Sequence, residues 1–192
     1  MFFTINCHSQ NSKSSELVKQ KVADYILQLM VDYEITGASV AILKGEKVLY
    51  KGYHGKASRE FEVPVTENTL FKLHSVTKPI VSTAIFQLVE KNQISLSDPI
   101  TKYIGIKDGW SSIQIKHLLA HSSGLSEMPK DRNITEEQVK EVVFSKGFQF
   151  IPGERFQYAS TNYWLLQKIV EKITLKEFGR ISFCRNKLKR TF

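Results

Sequence analysis

The sequence predicts an α/β fold with an incomplete sheet, and three features carry that prediction. A long amphipathic helix is predicted from Ser14 to about Tyr33, where apolar side chains recur at helical spacing. A β-hairpin follows, with strands from Ala38 to Leu43 and from Val48 to Tyr53 joined by a turn at Gly45. The rest of the chain is predicted to be mostly helical. A two-stranded sheet is marginal by itself, so the fold is expected to need further strands, and none is predicted after Ile173.

Four more helices are predicted after the hairpin. The strongest begins near Ser75 or Val76, because Pro79 is tolerated only in the first turn of a helix. It ends near Lys91-Asn92, where asparagine can adopt a left-handed cap. Its apolar side chains are expected to form one wide, buried stripe: Val76, Ile80, Val81, Ala84, Ile85, Leu88 and Val89. The shorter helices are predicted around Ile115–His121, Thr135–Phe144 and Thr161–Ile173.

Composition and charge restrict the class of protein. With 42% hydrophobic and 24% charged residues among 192, the chain is typical of a folded globular domain. No apolar run approaches the roughly 20 residues that span a bilayer. The net charge of +8 is concentrated at the end of the chain, where five basic residues and no acid lie between Arg180 and Phe192. We interpret this segment as a basic tail, so a nucleic-acid-binding face is not expected.

No metal, cofactor or disulfide is expected from the cysteines and histidines. Cys7 and Cys184 lie at opposite ends of the chain and form no CxxC pair. His117 and His121 are four residues apart, but the glutamate of a zinc-binding HExxH motif is missing between them. Residues 1–13 could be a remnant of a secretory signal, a segment lipid-modified at Cys7, or a flexible end, since the basic start of a complete signal is lacking.

Ser75 and Lys78 are candidates for nucleophilic catalysis. A serine hydrolase needs an oxygen nucleophile and a base that takes its proton, and a spacing of three residues puts both side chains on one face of a helix. The N-terminus of that helix favours negative charge developing at the hydroxyl. A Ser-x-x-Lys pattern arises by chance about once in a chain of this length. The alternative is therefore an N-capping serine followed by a surface lysine.

Further segments, in a fixed order and at matching intervals, make the chain similar to class C β-lactamases. Serine D-Ala-D-Ala carboxypeptidases of the penicillin-binding-protein type and related esterases share this order. The resemblance covers about residues 20 to 178 and rests on residues 37–41 (GASVA), 52–53, 64–66 (PVT), 69–71 (TLF), 75–79 (SVTKP), 96–100 (LSDPI), 115–125 (IKHLLAHSSGL), 152–158 (PGERFQY) and 162–163. It implies the β-lactamase-like, or serine transpeptidase-like, α/β fold.

The resemblance also implies a reaction through an acyl-enzyme. Ser75 would be acylated by a β-lactam, a D-Ala-D-Ala peptide or an ester, and its backbone N–H would supply half of the oxyanion hole. Lys78 and Tyr158 would share the roles of general base and general acid. Residues 117–119 and 122–125 would serve as scaffold. The implied partner is a small-molecule or peptide substrate, and the implied location is periplasmic or extracytoplasmic.

Two departures from the family pattern limit what this chain is expected to do. The second motif, usually Tyr-x-Asn, reads Tyr158-Ala159-Ser160. The Ser160 hydroxyl thus replaces the amide expected to bind substrate, which favours esters or peptides over lactams. The third motif, Lys-Thr-Gly or His-x-Gly on a sheet strand, does not occur in the sequence, and with it the second oxyanion donor is missing.

We therefore expect residues 14–178 to form the N-terminal part of a β-lactamase-related domain that lacks the C-terminal sheet strands. Residues 179–192 are interpreted as a non-homologous basic tail, of the kind that a frameshift or a premature stop would leave. The 192-residue chain is accordingly expected to be truncated and inactive. The alternative is a non-catalytic, peptide- or peptidoglycan-binding remnant of the same fold.

Overall fold

The computed structural model describes residues 8–105, 109–129 and 135–180, which fall into two compact units. The first unit ends at Lys72 and the second begins at Leu73. Most of the possible signal remnant and most of the basic tail lie outside the described residues, so the predicted domain boundaries stay predictions. Within the described residues, every helix is too short or too polar to cross a membrane.

The first unit is a long helix followed by a small antiparallel sheet. Helix α1 spans His8–Asp32, and the strands are β1 Gly37–Lys44, β2 Lys47–Ser58 and β3 Val63–Pro64, in the order β1-β2-β3. Strands β1 and β2 form the predicted hairpin, which closes at the pair of Lys44 with Lys47. Gly45 in the turn has a φ of +58°, a left-handed conformation that glycine adopts without strain.

Two features of this unit differ from the prediction. Helix α1 begins at His8 instead of Ser14, because the polar residues between them include no proline or glycine to interrupt it. The prediction of a two-stranded sheet is wrong, since β3 pairs with the other edge of β2. Proline at position 64 is accepted there because an edge strand leaves one side of its backbone unpaired.

The hairpin exposes apolar side chains near its turn. Ile42, Leu43, Val48 and Leu49 are 39%, 59%, 53% and 40% exposed. Successive side chains of a regular strand point to opposite faces, so exposure of the neighbours Ile42 and Leu43 in β1 leaves apolar surface on both faces of the sheet. The described residues therefore leave this part of the sheet uncovered.

The second unit is helical. It contains α2 Thr77–Glu90, α3 Ile115–Leu119, α4 Glu136–Ser145 and α5 Ser160–Thr174, with 3-10 turns at His74–Val76, Ile100–Lys102 and Phe178–Arg180. The four helices agree with the predicted ones to within about two residues, the usual uncertainty of a helix end. After α2, Asn92 adopts the predicted left-handed conformation, with a φ of +55°.

The core of the second unit forms where α2 and α3 pack on α5. The buried apolar side chains of these helices are Val81, Ala84, Ile85 and Leu88 of α2, Ile115 and Leu118 of α3, and Leu165, Leu166, Ile169 and Val170 of α5. For Val76 the prediction of a buried stripe is wrong. This residue is 64% exposed, because it lies in the 3-10 turn that precedes α2. The packed end of α2 therefore begins one turn later than the pattern suggests.

Gly124 is a position at which the second unit requires glycine. Its φ is +74°, and an added Cβ would collide with the carbonyl oxygen of Phe150. Gly124→Ala is expected to lower the free energy of unfolding by about 2–6 kcal/mol, from backbone strain and overpacking together. The matched control is Gly147→Ala, at a φ of +67°, where an added Cβ meets nothing within 4 Å and only the strain remains. Urea denaturation of both variants measures the difference, and equal losses of stability would contradict this interpretation.

Candidate active site

Ser75 lies in the 3-10 turn His74–Val76, which leads directly into α2. Pro79 falls in the first turn of α2, as its chemistry requires. The residue before the serine, His74, has a left-handed backbone with a φ of +46°, which costs a non-glycine residue about 1–3 kcal/mol. A strained turn thus places the exposed Ser75 hydroxyl at the N-terminus of the helix.

The structure brings Ser75, Lys78 and Tyr158 together. The Ser75 hydroxyl oxygen lies 2.8 Å from the phenol oxygen of Tyr158. The Lys78 ammonium donates a hydrogen bond to the same Ser75 oxygen at 3.1 Å. The Lys78 nitrogen is also 4.9 Å from the centre of the Tyr158 ring. One hydroxyl therefore has a phenol and a cation within reach, an arrangement in which its proton can be transferred. The predicted proximity is confirmed, and the catalytic roles of the three residues stay predictions.

The pKa of the Tyr158 phenol is held below its ordinary value. The main cause is the neighbouring Lys78 ammonium, followed by the hydrogen bond to Ser75, and both stabilise the phenolate. Tyr158 is half exposed, so solvent screens part of this effect. The direction of the shift moves the phenol toward the range in which an oxygen base works near neutral pH.

A second tyrosine, Tyr163 of α5, also lies near Lys78, with its ring centre 5.8 Å from the ammonium. Its phenol donates to the backbone carbonyl of Leu119 at 3.1 Å, so the Ser82 hydroxyl of α2 is the donor in the 3.0 Å contact between Ser82 and Tyr163. These bonds join α5 to α2 and to the end of α3 beside Lys78. Tyr163 had no predicted role, and its only signal in the sequence was its place in the family segment 162–163.

Ser160, the predicted substrate-binding residue, is the first residue of α5. Its backbone N–H donates to the Glu127 carboxylate at 2.6 Å. Ser160 and Lys78 line a cavity of about 280 Å³. Its other lining residues are His74, Thr77, Val81, Met128, Tyr163, Trp164 and Gln167. None of these described lining residues is acidic, and several are apolar. The part that Ser160 plays in binding stays a prediction.

The described ranges contain no group of three His, Cys, Asp or Glu side chains suited to a metal ion. His117 and His121 instead make separate contacts: Nδ1 of His117 accepts a hydrogen bond from the backbone N–H of Gln114, and Nδ1 of His121 accepts one from that of Ala159. His121 thereby contacts the segment that carries Tyr158. This contact has no signal in the sequence, because it joins residues 38 positions apart.

Known proteins are similar to this chain over most of its length. A family model described as Beta-lactamase matches residues 22–182. Esterase EstB of Burkholderia gladioli is 36% identical over 104 residues, which cover 51% of this chain and 26% of the esterase. The putative penicillin-binding protein PbpX of Bacillus subtilis (strain 168) is 29% identical over 168 residues, which cover 84% of this chain and 41% of that protein. The chain thus spans less than half the length of either relative.

Solved structures show the same similarity in three dimensions. A class C β-lactamase superposes with a TM-score of 0.74 at 27% identity, over 85% of this chain and 46% of the other. The octameric penicillin-binding protein homologue from Pyrococcus abyssi superposes with a TM-score of 0.69 at 27% identity, over 90% of this chain and 46% of the other. The predicted β-lactamase-like fold is therefore confirmed, and about half of each solved chain has a counterpart here.

Proposed function

Because the chain belongs to the Beta-lactamase family, we propose that it carries the nucleophile, Ser75, of a serine hydrolase that reacts through an acyl-enzyme. The observation that carries the proposal is the pair of contacts at the Ser75 hydroxyl, 2.8 Å to Tyr158 and 3.1 Å to Lys78. An esterase, a putative penicillin-binding protein and a class C β-lactamase among the similar proteins support serine-hydrolase chemistry in general.

In the proposed reaction, Tyr158 begins as the phenolate, and the Ser75 oxygen attacks the substrate's carbonyl carbon while the Ser75 proton passes to the phenolate oxygen. The Lys78 ammonium offsets the negative charge on the oxygens during this step. When the tetrahedral intermediate collapses, the bond to the leaving group breaks and the leaving group takes the proton from Tyr158. A water molecule then attacks the acyl-enzyme and passes a proton to the Tyr158 phenolate. When this second intermediate collapses, the bond between the carbonyl carbon and the Ser75 oxygen breaks, Ser75 takes the proton from Tyr158, and the acid is released.

We propose an ester or a peptide as the substrate, in preference to a β-lactam. The Ser160 hydroxyl, in place of the family's usual amide, supports this choice, as does the esterase among the relatives. The cavity beside Lys78 has apolar walls formed by Val81, Met128 and Trp164, which suit an uncharged acyl group. An extracytoplasmic location would suit a peptidoglycan-derived peptide, and it stays a prediction, since residues 1–7 lie outside the described part.

Two acyl donors test the proposed substrate class on the same chain. We expect p-nitrophenyl butyrate to leave a butyryl adduct on the protein faster than a fluorescent penicillin leaves its penicilloyl adduct, as followed by intact mass. Tyr158→Phe should slow both reactions, because the ring is kept and the oxygen that takes the Ser75 proton is removed. Faster acylation by the penicillin would contradict the ester assignment. Reversible binding of a D-Ala-D-Ala peptide without an adduct from either donor would favour the non-catalytic alternative.

A further inference from the structure

His121 is a buried histidine that contacts three consecutive residues around Tyr158. Its ring stacks on the Tyr158 ring, with centres 4.6 Å apart and an interplanar angle of 29°. Its carbonyl oxygen accepts a hydrogen bond from the backbone N–H of Gln157 at 2.8 Å, and its Nδ1 accepts one from the N–H of Ala159 at 3.3 Å. The His121 backbone is left-handed, with a φ of +52°, and the residue is only 8% exposed. One side chain and its own carbonyl thus hold the chain before, at and after the candidate base.

A buried series of hydrogen bonds determines which atom of the Asn162 amide faces the His121 ring. The backbone N–H of Leu125 donates to the Ser123 hydroxyl oxygen at 3.1 Å, and the Ser123 hydroxyl donates to Oδ1 of Asn162 at 2.5 Å. The amide nitrogen of Asn162 therefore faces His121, and it donates to Nδ1 at 3.1 Å. Ser123 and Asn162 are each 1% exposed, so water does not compete for these bonds.

These donors specify one tautomer of His121. With two N–H groups directed at Nδ1, the neutral ring carries its proton on Nε2. Burial, aided by the Lys78 charge, lowers the pKa of His121, and a hydrogen bond with the Ala159 backbone and the Glu127 carboxylate oppose the shift. The net direction favours the neutral ring. A proton on Nδ1 would turn the acceptor into a donor and break both hydrogen bonds.

We infer that His121 is a positioning residue, whose Nδ1, oriented by Asn162 and Ser123, and whose ring face hold the Tyr158 phenol against Ser75 and Lys78. This inference rests on the proposed function, because it gives the phenol's position a purpose in proton transfer. Tyr158 is half exposed, so the contacts on its buried side must hold it in place. Proton transfer needs the two oxygens within hydrogen-bond reach, and a misplacement of about 1 Å can cost about 100-fold in rate.

The tautomer is tested directly by a long-range ¹H–¹⁵N spectrum of the chain carrying ¹⁵N-labelled histidine. The His121→Asn variant assigns the signals of His121, since they vanish from its spectrum. We expect a protonated Nε2 and an unprotonated Nδ1 at neutral pH. A proton on Nδ1 would overturn the inference, because that nitrogen could not then accept from Ala159 and Asn162.

Two variants distinguish the contribution of the stacked His121 ring from that of its Nδ1 atom. His121→Asn removes the stacked ring, while the new amide oxygen can still accept near the position of Nδ1, and asparagine tolerates the left-handed backbone. Asn162→Asp keeps the ring but exchanges the amide donor for a carboxylate, which draws a proton onto Nδ1. The matched control is His117→Asn, a change at a second histidine whose Nδ1 accepts from Gln114 and not from the Tyr158 segment.

The readouts are the titration midpoint of the Tyr158 phenol and the rate of Ser75 labelling by a fluorophosphonate. The midpoint is followed with ¹³Cζ-labelled tyrosine, with Tyr158→Phe to assign the signal. We expect both variants to move the midpoint up toward the ordinary value of about 10, and to slow labelling by about 10–100-fold. The control should match the unmodified chain in both readouts.

A purely structural role would leave the Tyr158 midpoint unchanged in every folded variant, and that result would overturn the inference. If His121→Asn does not fold, Asn162→Asp carries the same comparison. If the unmodified chain is never labelled at Ser75, the proposed function fails, whereas the Tyr158 midpoint still decides whether His121 positions the phenol.

Discussion

Replacing Ser75 by alanine is expected to abolish covalent labelling of the chain by a fluorophosphonate. The phosphorus atom of the fluorophosphonate then has no serine hydroxyl to react with next to Lys78 and Tyr158. Lys78→Ala keeps the hydroxyl but removes the ammonium that donates to it and lowers the pKa of Tyr158. We expect labelling of this second variant to slow by about 10²–10⁴-fold, the usual contribution of general acid–base catalysis. Intact-protein mass spectrometry over time measures both rates.

Two substitutions of the same residue types serve as controls. Ser97→Ala and Lys91→Ala each change an exposed residue of the second unit that is not in contact with Ser75. Both variants should be labelled as fast as the unmodified chain. Labelling of Ser75→Ala at the unmodified rate would show that the nucleophile lies elsewhere.

The 192-residue chain by itself is expected to turn over substrate at close to the background rate. The family resemblance assigns the second oxyanion donor to a Lys-Thr-Gly or His-x-Gly strand, and this sequence contains neither motif. Loss of one oxyanion donor typically costs about 10²–10³-fold in rate. Fluorophosphonate labelling is still compatible with this expectation, because it requires a single reaction per molecule.

Low stability is expected for the same chain. Ile42, Leu43, Val48 and Leu49 of the hairpin are exposed, and each large apolar side chain left in water forgoes about 1.5–3 kcal/mol. A typical domain is stable by only about 5–15 kcal/mol, so a few such residues remove much of the margin. Among the described strands, β1 has a partner on one edge only, and an open edge promotes association.

Thermal unfolding of purified residues 1–192, together with turnover of nitrocefin and a p-nitrophenyl ester, checks both expectations. We expect a broad or low-temperature transition and turnover that does not depend on Ser75. A cooperative transition above about 65 °C, the upper end for ordinary domains, combined with turnover that Ser75→Ala abolishes, would contradict them. That result would make the chain an active enzyme as it stands.

Local patterns in the sequence were sufficient for most of the fold and for the positions of two of the three proposed catalytic groups. The apolar period of α2 and α5 predicted both helices, because a buried stripe on one face is a regular signal over more than ten residues. Pro79 placed Ser75 and Lys78 at the start of α2, since proline has few permitted positions in a helix. Tyr158 could be placed beside them only through the family resemblance.

Features without a local signal could not be predicted. Strand β3 has two residues, one of them a proline, so it has no alternation to detect. The left-handed backbone of His74 depends on the turn that surrounds it and not on its residue type. The hydrogen bonds that Asn162 makes with His121 and Ser123 join residues 41 and 39 positions apart, and they form only in the folded state.

The position of the covalent adduct shows most directly whether Ser75 is the nucleophile. Trypsin is expected to release Ser75 in the peptide of residues 73–91, because Pro79 blocks cleavage after Lys78. Fragmentation of that peptide after fluorophosphonate treatment then separates Ser75 from the other hydroxyl residues. If Ser75 is the nucleophile, the phosphonyl group is found on Ser75 alone. An adduct on another residue of the chain, with Ser75 unmodified, would contradict this assignment.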